Sequence, residues 1–461
     1  MRRRLLAICL AGILLEALWL ATYRLGPLRE HTTAFLVLIG ITFAACLVSY
    51  LRIQLRSRAE VICLLAFGLL FRVTLLPAEP FESEDVYRYL WDARVSSAGI
   101  DPFRYRPDAP ELESLRDSKI YPMVNSKPYI TAYPPVSQAL FRVCYSFFGD
   151  RVPPMKAVFS FFEFSALIVA WRLLVRMKRP MQPLFLVAWN PFFIFEFSHS
   201  GHSDSGMMFF AVLSFYLLLR AKNGQAMISY VGAILSKLHP ALWFPIFLRR
   251  TGWKPAVIGL ATGAALTFWY FSFSALGRYL SSLRLYFRLF EFNAGIHYAV
   301  CLFGRAVTGQ DWDQRTGPYL AAALIIVSVL IWWKFPVREV GDVMHACFWI
   351  ATADLCLATT VHPWYLSWAA LFLPFLPYGF MFYWTGACFL SYIAYQYRPV
   401  YEPGWVILAE YLPMYALMAY EICRKRPIFE SVARRAGGST KPPGGRPDRS
   451  PGHAPPPTGS D

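Results

Sequence analysis

A run of acidic and basic side chains, Glu82-Ser-Glu-Asp-Val-Tyr-Arg-Tyr-Leu-Trp-Asp92, is where this chain first offers reactive groups at a regular spacing. If a helix begins near Ser83, then Asp85, Arg88, Tyr89 and Asp92 share one stripe at i, i+3, i+4 and i+7. A carboxylate there, Glu84 or Asp85, could act as general base. Arg88 or Arg94 could supply positive charge for an anionic substrate. A plainer reading fits the same spacing: Ser83 as N-cap, Glu84 and Asp85 complementing the helix dipole, and Arg88–Asp92 as an ordinary i,i+4 pair. A helix N-terminus also weakens a carboxylate as a base, so a base in this position needs partial burial to recover strength.

Two further polar clusters end apolar runs. Trp189-Asn-Pro-Phe-Phe-Ile-Phe-Glu-Phe-Ser-His-Ser-Gly-His-Ser-Asp204 carries Glu196, His199, His202 and Asp204, and Thr359-Thr-Val-His-Pro-Trp-Tyr365 carries His362 and Tyr365. Taken singly, each histidine reads as an interfacial side chain. His202 and Asp204 lack two further ligands at a recognisable spacing, so a divalent metal is unsupported and no cofactor is expected. The chain has no GxGxxG, GxxxxGK[ST] or HExxH pattern, which removes a nucleotide fold, an ATP motor and a zincin. No soluble stretch is large enough for a catalytic domain that works on sugar nucleotides.

The elements that must hold these groups follow from composition. Of the 461 residues, 56% are apolar and 16% charged, against about 25% charged in soluble globular proteins. The apolar residues gather in runs of roughly 16 to 21, long enough to cross about 30 Å of hydrocarbon. A soluble enzyme, a disordered protein, a disulfide-stapled module and a β-barrel are thereby excluded. The fold class is all-α, a polytopic membrane protein. The net charge of +16 sits in short clusters at the ends of apolar runs and lines no groove, so no nucleic-acid partner is expected. The nine cysteines form no CxxC and lie almost all within or beside apolar runs, as small buried hydrophobes do.

Hydropathy places twelve spans at 5–21, 34–51, 60–77, 155–175, 181–198, 206–220, 256–275, 317–334, 343–361, 364–377, 379–396 and 404–423. No small-residue cleavage site follows the first, which reads as an uncleaved span. With a cytoplasmic N-terminus the inside segments hold nineteen Lys and Arg, and the short outside loops hold three, Arg24, Arg29 and Arg398. That bias puts both termini in the cytoplasm. It also gathers His199, His202, His297 and His362 on the outer face. Residues 226–248 are apolar but interrupted by Lys237, His239 and Pro240, and read as a re-entrant helix pair, with a Pro-kinked full span as the plainer option.

The resulting organisation is 1–77 as N-terminal spans, 78–154 as a long outer loop, 155–275 as spans with the re-entrant pair 226–248, 276–316 as a second outer loop, 317–423 as C-terminal spans, and 424–461 as a disordered cytoplasmic tail. A loop as long as the first needs a function or a structure of its own. Within it, residues 136–148 read as an amphipathic helix lying in the interface. Arg72, Glu163, Glu196 and Asp354 are ionisable inside spans and are functional candidates, although pairing of Arg72 with a glutamate would account for the arginine.

Ser83-Glu-Asp-Val-Tyr-Arg-Tyr-Leu-Trp-Asp, Gly99-Ile-Asp-Pro-Phe-Arg-Tyr, Tyr133-Pro-Pro, Ser200-Gly-His-Ser-Asp and His362-Pro-Trp-Tyr-Leu-Ser-Trp together resemble the GT-C superfamily of multi-span glycosyltransferases. The likeness covers roughly 80 to 425 and is greatest to bacterial mannosyltransferase-like members, including relatives of the enzymes that mannosylate phosphatidylinositol glycans. Two extra spans, relative to a minimal member, precede the loop that such enzymes use for catalysis, and Glu-Asp stands where other members show Asp-x-Asp or Asp-Glu. The resemblance implies inverting transfer of a hexose, foremost mannose, from a polyprenyl-phosphate donor to a lipid or glycan acceptor at the extracytoplasmic face of a bacterial cytoplasmic membrane. Asp85 is then the base, with Glu84 as the alternative. Arg88, His202, Asp204, Arg288, His362 and Tyr365 are the candidates for holding the donor phosphate and substrate. A flippase for a lipid-linked saccharide is the competing reading, although no internal repeat of the kind many transporters show is present.

Overall fold

A computed structural model describes residues 1–80, 83–270, 277–280, 290–397 and 399–437, and among these the regular elements are helices, with one isolated bridge between Phe292 and Thr360. The helix α1 (Arg2–Arg24) is followed by α2 (Thr32–Arg52) and α3 (Arg58–Leu75), and each ends or begins on arginine. Ser57 and Glu60 close a capping box at the start of α3, which satisfies amide groups that the helix itself leaves without partners. Helices α1 and α3 run side by side in the same direction. Arg4 pairs with Glu60 at 2.7 Å near their starts, and Thr74 donates to Glu16 at 2.6 Å further along.

The long loop is a folded unit. It contains α4 (Asp85–Ser97), the 3-10 turns Pro110–Leu115 and Tyr121–Met123, and α5 (Pro135–Phe148). Val86, Tyr89, Leu90, Trp91 and Phe141 form a second hydrophobic core with Met155 and Phe159 of α6 (Val152–Arg176). Arg94 ties it together, at 2.7 Å from Asp117 and 2.8 Å from Asp150. Helix α5 buries Ser137, Gln138, Phe141 and Cys144 and exposes Val143, Phe147 and Phe148, the two-faced pattern expected of 136–148.

Among the described residues, six helices are long and apolar enough to cross a membrane: Arg2–Arg24, Thr32–Arg52, Val152–Arg176, Arg315–Lys334, Val340–Leu357 and Gly404–Arg424. The chain is therefore a membrane protein by length and composition, but several of the other hydropathy runs are not single rods. Residues 182–199 break into four short helical pieces, because Pro183 and Pro191 cannot continue a ladder and Asn190 caps a new start at Phe192. Every residue from Leu184 to Ser200 is nevertheless buried, so the segment is core and carries the hydropathy of a span without the shape of one. Residues 363–370 and 379–396 are likewise assembled from short α and 3-10 pieces.

The segment expected to break at Lys237–Pro240 does so. Helix Asn223–Ser236 ends there, and the chain turns back through His239–Trp243 into Phe244–Thr251. Ser236, at the tip, accepts a bond from Ser137 of α5, and Arg249, at the far end, donates to the carbonyls of Trp332 and Phe335. Beyond the expected boundary at 424 the chain remains packed. Tyr50 and Phe382 hold the Phe429 ring at 5.2 and 5.7 Å, and helix Glu430–Gly437 follows.

Candidate active site

Three distant segments meet around His202. The first is α4, whose first residue is Asp85. Ser83 accepts the Asp85 amide at 3.2 Å, and Glu84 occupies the cap position that the sequence offered to Ser83. The second is the turn that closes the broken segment 182–199. Gly201 makes this turn possible: its φ is +77°, and a Cβ there would lie 2.7 Å from the Lys156 side chain. The third is the stretch from Thr359 to Trp368, whose strand-like start pairs with residue 292, Val361 donating to the Phe292 carbonyl at 2.7 Å.

Asp85 has one oxygen 2.7 Å from the Asn125 amide nitrogen and the other 3.6 Å from His202 Nδ1. On its far side His202 Nε2 stands 3.3 Å from Glu196, whose other oxygen accepts from Tyr392 at 2.9 Å. The fully buried imidazole therefore lies between two carboxylates. Burial would deprotonate it, but the paired carboxylates outweigh that cost and raise its pKa above the ordinary imidazole value. Burial likewise raises the Asp85 carboxyl, yet His202 and Asn125 more than reverse this and hold it at about 2.

A column of rings supports this pair. His202 stacks on Trp364 at 3.8 Å, Trp364 on His362 at 4.5 Å, and His362 on Phe292 at 4.8 Å, with interplanar angles of 15°, 1° and 27°. Burial pushes His362 down to about 4, with Asp85 partly opposing the shift and His202 and Lys237 adding to it, so the ring is neutral at neutral pH. Phe292 is fixed from behind by Asn293, whose amide and side chain bond Glu402 and Glu410 and whose carbonyl accepts from Tyr411.

A second group adjoins the first. Asp204 accepts from Trp368 Nε1 at 2.7 Å and from Lys237 at 3.2 Å. The Lys237 ammonium lies over the rings of Tyr365 and Trp368, at 4.9 and 5.9 Å. Its electrostatic influence on His362 joins the two groups.

The structure thus brings Asp85, His202 and His362 together, with Asp204 and Tyr365 alongside. Glu84 points elsewhere, 3.8 Å from Arg29 and part-exposed. Arg88 is buried and committed: Asp92 at 2.9 Å, and the carbonyls of Ser126 and Tyr129 at 3.3 and 3.1 Å. It holds the loop that presents Asn125, so the i,i+4 pair is what its spacing encodes. Arg288 lies outside the described residues. His199 stacks on Phe195 at 4.3 Å, and burial, aided by Lys156, keeps it neutral. His297 belongs to a separate pair with Thr316, at 2.6 Å. Arg72 meets Glu163, a glutamate pairing of the kind its place in an apolar run called for. Among the described residues no group of three or more His, Cys, Asp or Glu could hold a metal ion.

Lys237, Asn125, Trp364 and Trp368 were not singled out from the sequence as site residues. For Lys237 a signal existed, since a lysine in the middle of an apolar stretch is costly unless it has a partner or a task. For Asn125, in a polar loop, there was none.

Unsatisfied buried polar atoms concentrate here. His362 Nδ1 and the hydroxyls of Ser200, Ser203, Ser205 and Ser367 meet no hydrogen-bond partner. Such groups are usually satisfied in native proteins, and a sugar presents hydroxyl groups that would pair with them. The family described as alpha-(1->6)-mannopyranosyltransferase, N-terminal domain, matches residues 7–251, more than half of the chain. No curated protein and no solved structure matches.

Proposed function

The chain belongs to the MptA_B family of alpha-(1->6)-mannopyranosyltransferases and is thus a glycosyltransferase, and from that premise we propose that it transfers mannose from a polyprenyl-phosphate donor to a lipid or glycan acceptor, with inversion. An α-linked product made with inversion requires a β-linked donor. Asp85 takes the proton of the acceptor hydroxyl as its oxygen bonds the anomeric carbon. The bond from that carbon to the phosphate oxygen breaks, and its electron pair leaves with the phosphate.

The observation that carries this reading is the meeting of Asp85, His202 and His362, residues far apart in sequence, among buried polar atoms without partners. A carboxylate held near 2 is a weak base toward a free alcohol, but it is ionised at every physiological pH. The hydroxyl proton becomes acidic as the new bond forms, so a weak base suffices in the transition state. His202, whose pKa the two carboxylates raise, holds Asp85 ionised and in place until the proton arrives. A donor carried by the bilayer also fits the absence of any nucleotide motif. The contacts among arginine-bearing ends, such as Arg4–Glu60 and Arg249 with Phe335, join segments that the Lys and Arg bias puts on one side. Those around His202 join segments assigned to the other. This supports an extracytoplasmic site, cytoplasmic termini and a re-entrant course for 226–248.

The test supplies membranes containing the protein with labelled polyprenyl-phosphate mannose or with a mannose nucleotide. Transfer from the lipid donor alone is expected. Transfer only from the nucleotide would overturn the donor assignment, and movement of an intact lipid-linked saccharide without transfer would favour the flippase.

The pH profile supplies a second check. With Asp85 held near 2 by His202, kcat/KM should stay flat on the acid side through pH 5. Exchange of His202 for Asn removes the cation and leaves burial dominant, so the acid limb should move upward by about 1 to 3 pH units. An unmoved limb would mean that Asp85 is not the group whose ionisation the reaction needs.

A further inference from the structure

The 16-residue helix Asp204–Leu219 begins without a side-chain cap. Its start is buried all the same, with Ser203, Asp204 and Ser205 each at most 1% exposed. A helix start presents free amide groups and a partial positive charge, and burial without a cap is unusual. The hydroxyls of Ser203 and Ser205 meet no partner, nor does that of Ser367, next to Trp368. Against this start lies Lys237, set there by the break in the apolar hairpin. Asp204 is committed on both oxygens, to Trp368 Nε1 and to the Lys237 ammonium. It therefore orients the lysine without consuming it, since the ammonium has three donors and this contact uses one. An ammonium, buried hydroxyl donors and a helix N-terminus at one place are the chemistry that phosphate selects.

We propose that Lys237, with Ser203 and Ser205 at the uncapped start of helix Asp204–Leu219, binds the phosphate of a polyprenyl-phosphate donor. The assignment rests on the reading of the chain as a transferase that uses such a donor. It moves Asp204 from substrate contact to the positioning of Lys237. It also gives the leaving group a cation distinct from His202, which is already engaged with Asp85 and Glu196. As the sugar–phosphate bond breaks, the phosphate gains negative charge and shares the ammonium with Asp204. The rings of Tyr365 and Trp368 hold the lysine stem in place while this happens.

The test uses the full-length protein in lipid nanodiscs and measures equilibrium binding of radiolabelled polyprenyl phosphate and of the matching polyprenol. Lys237→Met should weaken binding of the phosphate by about 10- to 100-fold and leave polyprenol binding unchanged, whereas Lys237→Arg should keep most of the affinity. The double variant Ser203→Ala/Ser205→Ala leaves every charge in place, and a smaller selective loss is expected from it even if Lys237→Met fails to fold. Inorganic phosphate should compete only weakly. Competition as effective as that of the lipid would overturn the headgroup assignment in favour of free phosphate. If wild type binds the lipid phosphate and transfers mannose from it, but Lys237→Met and the double serine variant bind it equally well, the present assignment alone fails. If wild type neither binds that lipid nor uses it, the donor reading fails first.

Discussion

Asp85→Asn is expected to lower mannosyl transfer by about 10²- to 10⁴-fold, the range over which a positioned general base acts, without unfolding the protein. Asparagine keeps an oxygen to accept from Asn125, so the loop that contributes Asn125 should stay in place. What disappears is the ability to take a proton and the charge that faces His202. Glu84→Gln provides the internal control. Glu84 lies 3.8 Å from Arg29 with both side chains part-exposed, and such pairs contribute about 1 kcal/mol or less, so transfer should stay within about threefold of wild type. Both variants are read with labelled polyprenyl-phosphate mannose in membranes that carry matched amounts of protein. Equal transfer by Asp85→Asn and wild type would remove Asp85 as base. Loss in Glu84→Gln with activity kept in Asp85→Asn would exchange the two roles.

The adjacency of these two carboxylates shows what the sequence could and could not say. Successive residues on a helix differ by about 100° in direction, so one of Glu84 and Asp85 faces the site while the other faces away. Which one depends on the rotation of α4. That rotation is set by Val86, Tyr89 and Leu90 packing against Phe141 and Phe159, contacts made across the loop. The i,i+4 partnership of Arg88 and Asp92 is local and was legible. That Arg88 also binds two carbonyls near Asn125 was not, because those partners are about 40 residues away.

Hydropathy identified the long helices because burial in lipid and burial in protein both select apolar residues. For the same reason it could not distinguish an unbroken helix from the segment 182–199, which is equally apolar but assembled from short pieces. The prolines at 183 and 191 carried that information locally, while the apolar run outweighed them. The histidine clusters were visible as polar interruptions, but the contacts that separate His202 and His362 from His199 and His297, the shared stack on Trp364 and the pairing of His202 with Asp85 and Glu196, are made in the fold. Residues 292 and 362–368 lie beyond the matched 7–251. The wall they form is therefore particular to the chain's later half, which must fold against the earlier one before the site exists.

Arg72→Met should have the largest effect on stability. Arg72 is buried and binds Glu163 through two nitrogens, at 2.5 and 2.8 Å, and also donates to the carbonyls of Gly68 and Ala188. Removal of one member of such a pair leaves the other charge buried and costs about 3–5 kcal/mol, whereas replacement of both by apolar residues can be nearly neutral. Arg72→Met/Glu163→Met should therefore recover most of the stability that Arg72→Met loses, measured as the shift of the unfolding transition in detergent. Activity should not recover with it. The Ala188 contact ties the broken segment that presents Glu196 and His202 to α3, whose end leads into Asp85. The double variant should fold yet hold Asp85 and His202 less well, with kcat reduced more than the fraction of unfolded protein explains. Additive losses of stability in the two single variants and the double would show that the pair does not act as a unit. Full activity in a stable double variant would show that the Ala188 contact positions nothing the reaction needs.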